Sequence, residues 1–351
     1  MFDGSFYKNK KVFITGHTGF KGSWICKMLS LFGAEVRGYA LMPPTEPSVF
    51  DIAGIEKRLD SVIGDIRDLE TLKRSMLDFG PEIVLHMAAQ PLVRDSYLDP
   101  VYTYETNVMG TVNVLESVRH CTSVRSFVNV TTDKVYKNNE WVWGYRETDE
   151  LNGFDPYSNS KSCSELVTDS YRKSFFAGRQ IGISTARAGN VIGGGDFAKD
   201  RIIPDCVRAA IAGKDIIVRN AYSMRPYQHV LEPVTAYLIL AQSQYEYPDK
   251  FSGSYNIGPD DADYVSTGEL AAVFCEEWGA ISWKNESDGG PHEANLLKLD
   301  CSRIKAKLGI YPKWSVREAV KKTVDWTRAY IAGNDVFACM ENQIQEYCKG
   351  L

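Results

Sequence analysis

Between residues 11 and 32 the chain passes from a short apolar run into an amphipathic stretch through Thr15-Gly16-His-Thr-Gly19-Phe-Lys-Gly22, with a glycine at every third position. Glycine is needed where a backbone turns tightly or approaches another group closely. A helix that begins at such a turn offers unpaired N–H groups and a partial positive charge to an anion. A strand, a glycine turn and a helix in that order open a dinucleotide-binding unit, with the pyrophosphate resting on the helix N-terminus. The alternative is a glycine-rich turn without a ligand, and the position directly after an apolar strand favours the first reading.

The pattern continues along the first half. Residues 11–15, 35–39, 61–64, 82–86, 126–130 and 181–186 read as short buried strands, and residues 24–32, 69–79, 103–119 and 158–175 as crossover helices. Strands alternating with helices imply a parallel sheet covered on both faces, a doubly wound α/β domain of the Rossmann kind. After Gly189 the alternation weakens, and helices at 267–278 and 316–330 follow loops rich in glycine and proline. The expected division is a dinucleotide-binding domain over residues 1–189 and a smaller α/β substrate-binding domain over 190–351. Part of the later chain is left free to return to the first domain.

Composition narrows the partners. A formal net charge of −5 lacks the basic excess of a protein that binds nucleic acid or an anionic membrane, so a small-molecule substrate is expected. The eight cysteines are never closer than nine residues, which leaves no Cys-x-x-Cys unit for a metal. No apolar run approaches the ~20 residues of a membrane span, and no secretion signal is read at the start, so a cytoplasmic protein is expected.

Strand two ends Arg37-Gly38-Tyr39-Ala40-Leu41 without the acid that would meet the adenosine ribose, which leaves NAD and NADP both open there. Arg37 suits a 2′-phosphate or simply faces solvent. Asp65 and Ile66, after the third strand, suit an adenine edge, and Asp65 suits a turn or helix cap equally well. Tyr157-Ser-Asn-Ser-Lys161 opens a helix, so the two side chains share one face a turn apart. A nearby ammonium lowers a phenol from its usual pKa of ~10, which makes Tyr157 a base for a sugar hydroxyl. Upstream, Thr131-Thr132-Asp133-Lys134 ends the fifth strand, at the carboxyl edge where open parallel sheets bind ligands. Thr132 suits a hydrogen bond to the hydroxyl being oxidised. Asp133 and Lys134 add an acid and a potential base, or form a solvated turn pair.

Together these segments identify a resemblance. The chain resembles the extended short-chain dehydrogenase/reductase family, and within it the branch that dehydrates nucleotide sugars, over nearly its whole length. The matching segments include Thr15-Gly-His-Thr-Gly-Phe-Lys-Gly-Ser-Trp24, Ala88-Ala-Gln-Pro-Leu-Val-Arg94, Thr132-Asp-Lys-Val-Tyr136 and Asp155-Pro-Tyr-Ser158. Arg187-Ala-Gly-Asn-Val-Ile-Gly-Gly-Gly-Asp196, Arg201-Ile-Ile-Pro-Asp205, Arg225-Pro-Tyr-Gln-His-Val230 and Pro291-His-Glu-Ala294 match as well.

The resemblance implies a tightly held NAD against Gly16, Thr18, Gly19, Phe20, Lys21, Gly22, Asp65, Ile66, Ala88, Ala89, Gln90, Asn107, Thr131, Tyr157 and Lys161. It implies a nucleotide sugar, CDP-glucose, against Arg94, Asn190, Arg201, Arg225 and His292. Arg208 fits a surface helix better, and His229 a structural role. The implied reaction oxidises C4, eliminates water across C5 and C6 and returns hydrogen to C6. Related dTDP-glucose dehydratases carry glutamate as the C5 base where this chain has Lys134. A lysine base must lose a proton from near ~10.4, which burial beside Lys161 would ease. A homodimer through the helices at 103–119 and 158–175, or a tetramer of two such dimers, is also implied. A sugar 4-epimerase would share Tyr157 and Lys161 without needing Asp133 and Lys134, and a non-catalytic NAD-sensing regulator is a further alternative.

Overall fold

A computed structural model describes residues 4–286 and 296–349. Seven parallel strands form one sheet, in the spatial order Gly253–Ile257, Gly182–Ala188, Ser126–Thr132, Ile83–His86, Lys11–Thr15, Glu35–Ala40 and Asp60–Ile63. Starting from Lys11–Thr15, the chain builds outward to one edge and then returns to build the other. The strand order therefore reverses between Lys11–Thr15 and Ile83–His86, and a crevice opens there at the carboxyl ends.

The central strands are apolar on both faces because both are covered. Val12 and Ile14 point into a core shared with the helices Phe20–Leu31 and Leu231–Glu246. Phe13, Val84 and Phe127 point oppositely, against helices Leu69–Phe79 and Gly110–His120. A separate core of Ile192, Ile203, Cys206, Ile216, Leu270, Phe274, Val320 and Val324 holds the smaller unit together. The six strands and six helices read from the pattern are present, with ends shifted by a few residues.

The pattern missed the seventh strand and the last helix. Gly253–Ile257 pairs with Gly182–Ala188 from the later half of the chain, and its polar Asn256 is buried. The helix Val336–Cys348 returns to the first: Lys27 of Phe20–Leu31 pairs with Glu341 at 2.7 Å and lies over the Phe337 ring.

Candidate active site

The glycine turn is built as a cradle. Gly16 has φ +81°, and a Cβ there would stand 2.7 Å from Ala88 N, so the turn packs directly on the end of Ile83–His86. A Cβ on Gly22 would meet Gly16 O at 2.1 Å, which fixes the approach of the helix to the turn. Gly19 differs, since its Cβ would meet only Gly16 O, at 3.5 Å. Packing within the chain therefore does not require that glycine, whereas a diphosphate lying on the turn does. Gly19 caps the helix Phe20–Leu31 without a side-chain bond, so the first-turn N–H groups remain available to such an anion. Thr18 donates to Leu41 O at 2.9 Å and holds the turn's outer limb, while Phe20 packs against the main core.

Local chemistry sets the catalytic corner. Asp155 caps the helix Pro156–Ser174 by accepting from Ser158 N, and Pro156 occupies the first helical position. Tyr157 thus sits in the first turn with Lys161 one turn deeper. The Tyr157 backbone is fixed by donation to the buried Ser96 hydroxyl at 3.1 Å. Thr132 ends its strand in extended conformation near the Tyr157 phenol, whose proton release its hydroxyl favours. It also donates to Asp133 Oδ1 at 2.9 Å. Lys134 Nζ reaches the same oxygen at 3.1 Å and Asn190 Oδ1 at 3.3 Å. Asp133 is fully buried, and its other oxygen, Oδ2, has no partner among the described residues.

The electrostatics depart from one expectation. Burial raises the Tyr157 phenol to about 12, against the opposing influence of the Thr132 hydroxyl. The Lys161 ammonium donates to Val130 O at 3.3 Å and does not offset that desolvation. Burial also brings Lys161 down to about 8, with Glu165 opposing. Lys21 falls to about 7, through burial and then the repulsion of Lys161 and Arg201. Lys161 and Arg201 both act on Lys21, and Arg201 also acts on Tyr157, so positive charge gathers at this corner.

The remaining expected residues divide into those facing the crevice and those bound into the frame. Ala88, Ala89 and Gln90 follow Ile83–His86 at the crevice floor. Asn107 grips that floor: its Oδ1 accepts from Gln90 N at 2.8 Å, and its Nδ2 donates to Gln90 O and to Ser160 Oγ. It positions the loop and helix with its amide fully engaged. Thr131 is likewise committed, its hydroxyl donating to Glu165 at 2.5 Å. Asp65 binds the Arg67 side chain at 2.7 Å as a turn residue, and Ile66 is buried against Gly110. Arg37 pairs with Asp60 at 2.6 Å and donates to Ser75 O at 3.1 Å, with part of its side chain still in solvent.

Among the substrate candidates, Arg201 Nη1 binds Asp196 Oδ2 at 3.1 Å, and its charge is felt at both Tyr157 and Lys21. Arg94 stands 4.0 Å from Asp200, and Arg225 is buried on the short strand Met224–Arg225. Arg208 pairs with Asp205 along its own helix, at the surface. His229 is a core residue packed between Trp24 and Trp314, held neutral as burial lowers it to about 3. His292 lies outside the described residues. Sequence reasoning missed Ser96, Glu165, Asp200 and Arg219. Only Glu165 left a signal, as the third member of the stripe Tyr157, Lys161, Glu165 at four-residue spacing.

The family described as GDP-mannose 4,6 dehydratase matches residues 13–323. A CDP-glucose 4,6-dehydratase of Salmonella typhimurium (strain LT2) is 49% identical over 353 residues, covering 99% of this chain and 98% of that protein. Among solved structures, a dTDP-glucose 4,6-dehydratase of Streptomyces venezuelae with NAD bound superposes with a TM-score of 0.77 at 24% identity, covering 93% of this chain and 100% of that one. A UDP-glucose 4-epimerase of Thermus thermophilus in complex with NAD gives 0.77 at 25% identity, covering 91% and 99%. With a glycine cradle, a Tyr157–Lys161 helix and an Asp133–Lys134 pair at one sheet edge, the chain belongs to the GDP-mannose 4,6-dehydratase family, the nucleotide-sugar 4,6-dehydratase branch of the extended short-chain dehydrogenase/reductases.

Proposed function

We propose that the chain converts CDP-glucose to CDP-4-keto-6-deoxyglucose and water, with NAD retained throughout the cycle. The observation that carries this reading is the Asp133–Lys134 pair, with a buried carboxylate oxygen that has no partner among the described residues. A bare oxidation or a 4-epimerisation uses Tyr157, Lys161 and Thr132 alone, and loss of water also needs an acid and a base.

Each side chain has a task that its position permits. The Tyr157 phenolate takes the C4 hydroxyl proton and becomes the phenol, with Thr132 beside it. Lys161 favours the phenolate by its charge, from one helical turn below. NAD, when bound, supplies the acceptor that takes hydrogen from C4 and gives it back at C6, together with a positive ring that favours the tyrosinate. Oxidation acidifies the C5 proton, which passes to Lys134, while Asp133 protonates the departing C6 hydroxyl. One internal transfer prepares both groups: moving a proton from Lys134 to Asp133 across 3.1 Å yields a neutral amine and a neutral acid together. Desolvation by a bound sugar favours that neutral pair over the ion pair. Gly19 and the first turn of its helix take the NAD diphosphate, and Arg94, Arg201 and Arg225 the substrate phosphates. With Arg37 held by Asp60, NAD is the expected dinucleotide.

Leu98, Val101, Met109 and Leu166 expose apolar surface on the helical stretches 93–120 and 156–174, which supports a homodimer through those helices. The purified protein is to be incubated without added reductant with CDP-glucose and separately with dTDP-, UDP- and GDP-glucose, then read by mass spectrometry. Loss of one water from the CDP sugar alone is the expected result. Loss from another sugar moves the substrate, and an unchanged mass with inverted C4 gives the chain to the epimerases.

A further inference from the structure

The rim of the crevice carries charges whose partners come from different parts of the chain. Arg94 follows the strand Ile83–His86, in the dinucleotide half. Arg219 follows the short strand Ile216–Val218, in the smaller unit. Both converge on one carboxylate, that of Asp200. Arg219 Nη1 donates to Asp200 Oδ1, and Arg94 Nη1 stands 4.0 Å from the same oxygen. Asp200 sits in the left-handed region at φ +56°, unusual for a residue with a Cβ, and this turn puts its side chain between the two arginines. Its neighbour Arg201 bonds Asp196 and faces Tyr157 and Lys21, so the segment borders the catalytic corner. Arg94 is 31% exposed and Arg219 28%, both half-buried, while Asp200 at 38% is exposed. Solvent and a ligand can reach them. Arg219 Nη2 has a second carboxylate, Asp205, at 3.3 Å, onto which it can fall back.

We propose that Asp200 is a displaceable stand-in for substrate phosphate, holding Arg94 and Arg219 across the crevice until a nucleoside diphosphate takes its place. This rests on the nucleotide-sugar reading above and adds Arg219 to the diphosphate contacts. One guanidinium bonded to the carboxylate oxygen and a second 4.0 Å from it place two cations about one anion position, as a phosphate would require. A half-buried ion pair of modest strength can be exchanged at little cost, whereas a deeply buried one cannot. The carboxylate keeps like charges from repelling each other in the free enzyme, and it competes with weak anions for the site.

The test is a double-mutant cycle read by calorimetric titration of the full-length protein with CDP. Asp200→Asn is expected to tighten CDP binding roughly two- to fivefold, the range that half-exposed ion pairs allow. The same substitution made in an Arg219→Gln background is expected to give no gain. If Asp200→Asn weakens CDP or leaves it unchanged, the idea is overturned and Asp200 merely supports the loop. If the gain persists without Arg219, through-space repulsion explains it and the exchange is again overturned. A wild-type protein that binds no CDP but binds another nucleoside diphosphate contradicts the proposed substrate alone, and the cycle is then read with that nucleotide.

Discussion

Two buried carboxylates, Glu165 and Asp133, are treated in opposite ways. Glu165, one turn beyond Lys161 along the helix Pro156–Ser174, is fully satisfied. Its Oε1 accepts from Thr131, and its Oε2 accepts from Thr185 at 2.6 Å and Arg187 at 2.8 Å. Arg187 in turn donates to the Tyr136 hydroxyl and lies over its ring. Asp133, after the strand Ser126–Thr132, shares one oxygen between Thr132 and Lys134 and leaves the other bare. A buried oxygen without a partner carries a desolvation cost of ~1–3 kcal/mol. The fold bears that cost where chemistry needs a free lone pair and avoids it where only rigidity is needed. The same functional group is thus fully engaged at one site and left open at the other, and the number of internal partners separates the two.

Substitutions should divide along that line. Asp133→Asn is expected to lower turnover of CDP-glucose by ~10²–10⁴, the usual range for removing a general acid. Its unfolding free energy in urea should stay within ~1 kcal/mol of the parent, since no satisfied bond network is lost. Lys134→Met should abolish exchange of the C5 proton with solvent deuterium, and exchange at the parent rate would remove Lys134 from the role of base. Glu165→Ala is expected to do the reverse. It strands the buried Arg187 guanidinium and should cost ~3–5 kcal/mol of stability. A Glu165→Ala protein as stable as the parent, or an Asp133→Asn protein that unfolds readily, would erase the distinction between the two carboxylates.

The sequence displays one side of this comparison better than the other. Tyr157, Lys161, Thr132, Asp133 and Lys134 lie in two short segments, each next to a strand or helix end that its own residues define. The capping Asp155 and Pro156 place Tyr157 without help from the rest of the chain. Satisfied networks are different, because their partners are far apart. Glu165 meets Thr131 and Arg187 from two other strands, and Asn256 meets Tyr136, Tyr145 O and Asp300 O. The strand Gly253–Ile257 escapes the sequence pattern for that reason: Asn256 looks solvated until tertiary partners bury it. The Asp200 bridge is equally silent, since Arg94 and Arg219 are joined only by the fold. Lys161 alone predicts a lowered Tyr157 phenol, and burial, which local spacing does not report, outweighs it.

Lys161 lies between the two regions, and its titration decides to which it belongs. It has one hydrogen bond, to Val130 O, and burial brings it to about 8, so by partner count it sides with Asp133. In the unfolded chain a lysine releases its proton near ~10.4. Between pH ~8 and ~10.4 the unfolded chain therefore holds a proton that the folded chain has shed, and by linkage this group makes the fold more stable as pH rises through that window. Below ~8 both states are protonated and the folded state bears the full penalty of the buried ammonium. Lys161→Met removes this dependence. Urea unfolding of parent and variant at pH 7 and pH 10 should show the parent gaining roughly 1–3 kcal/mol relative to the variant over the interval. Parallel stabilities at the two pH values would mean that Glu165 holds the ammonium as firmly as it holds Arg187. Lys161 would then be part of the frame, and the poised region would shrink to Tyr157, Thr132, Asp133 and Lys134.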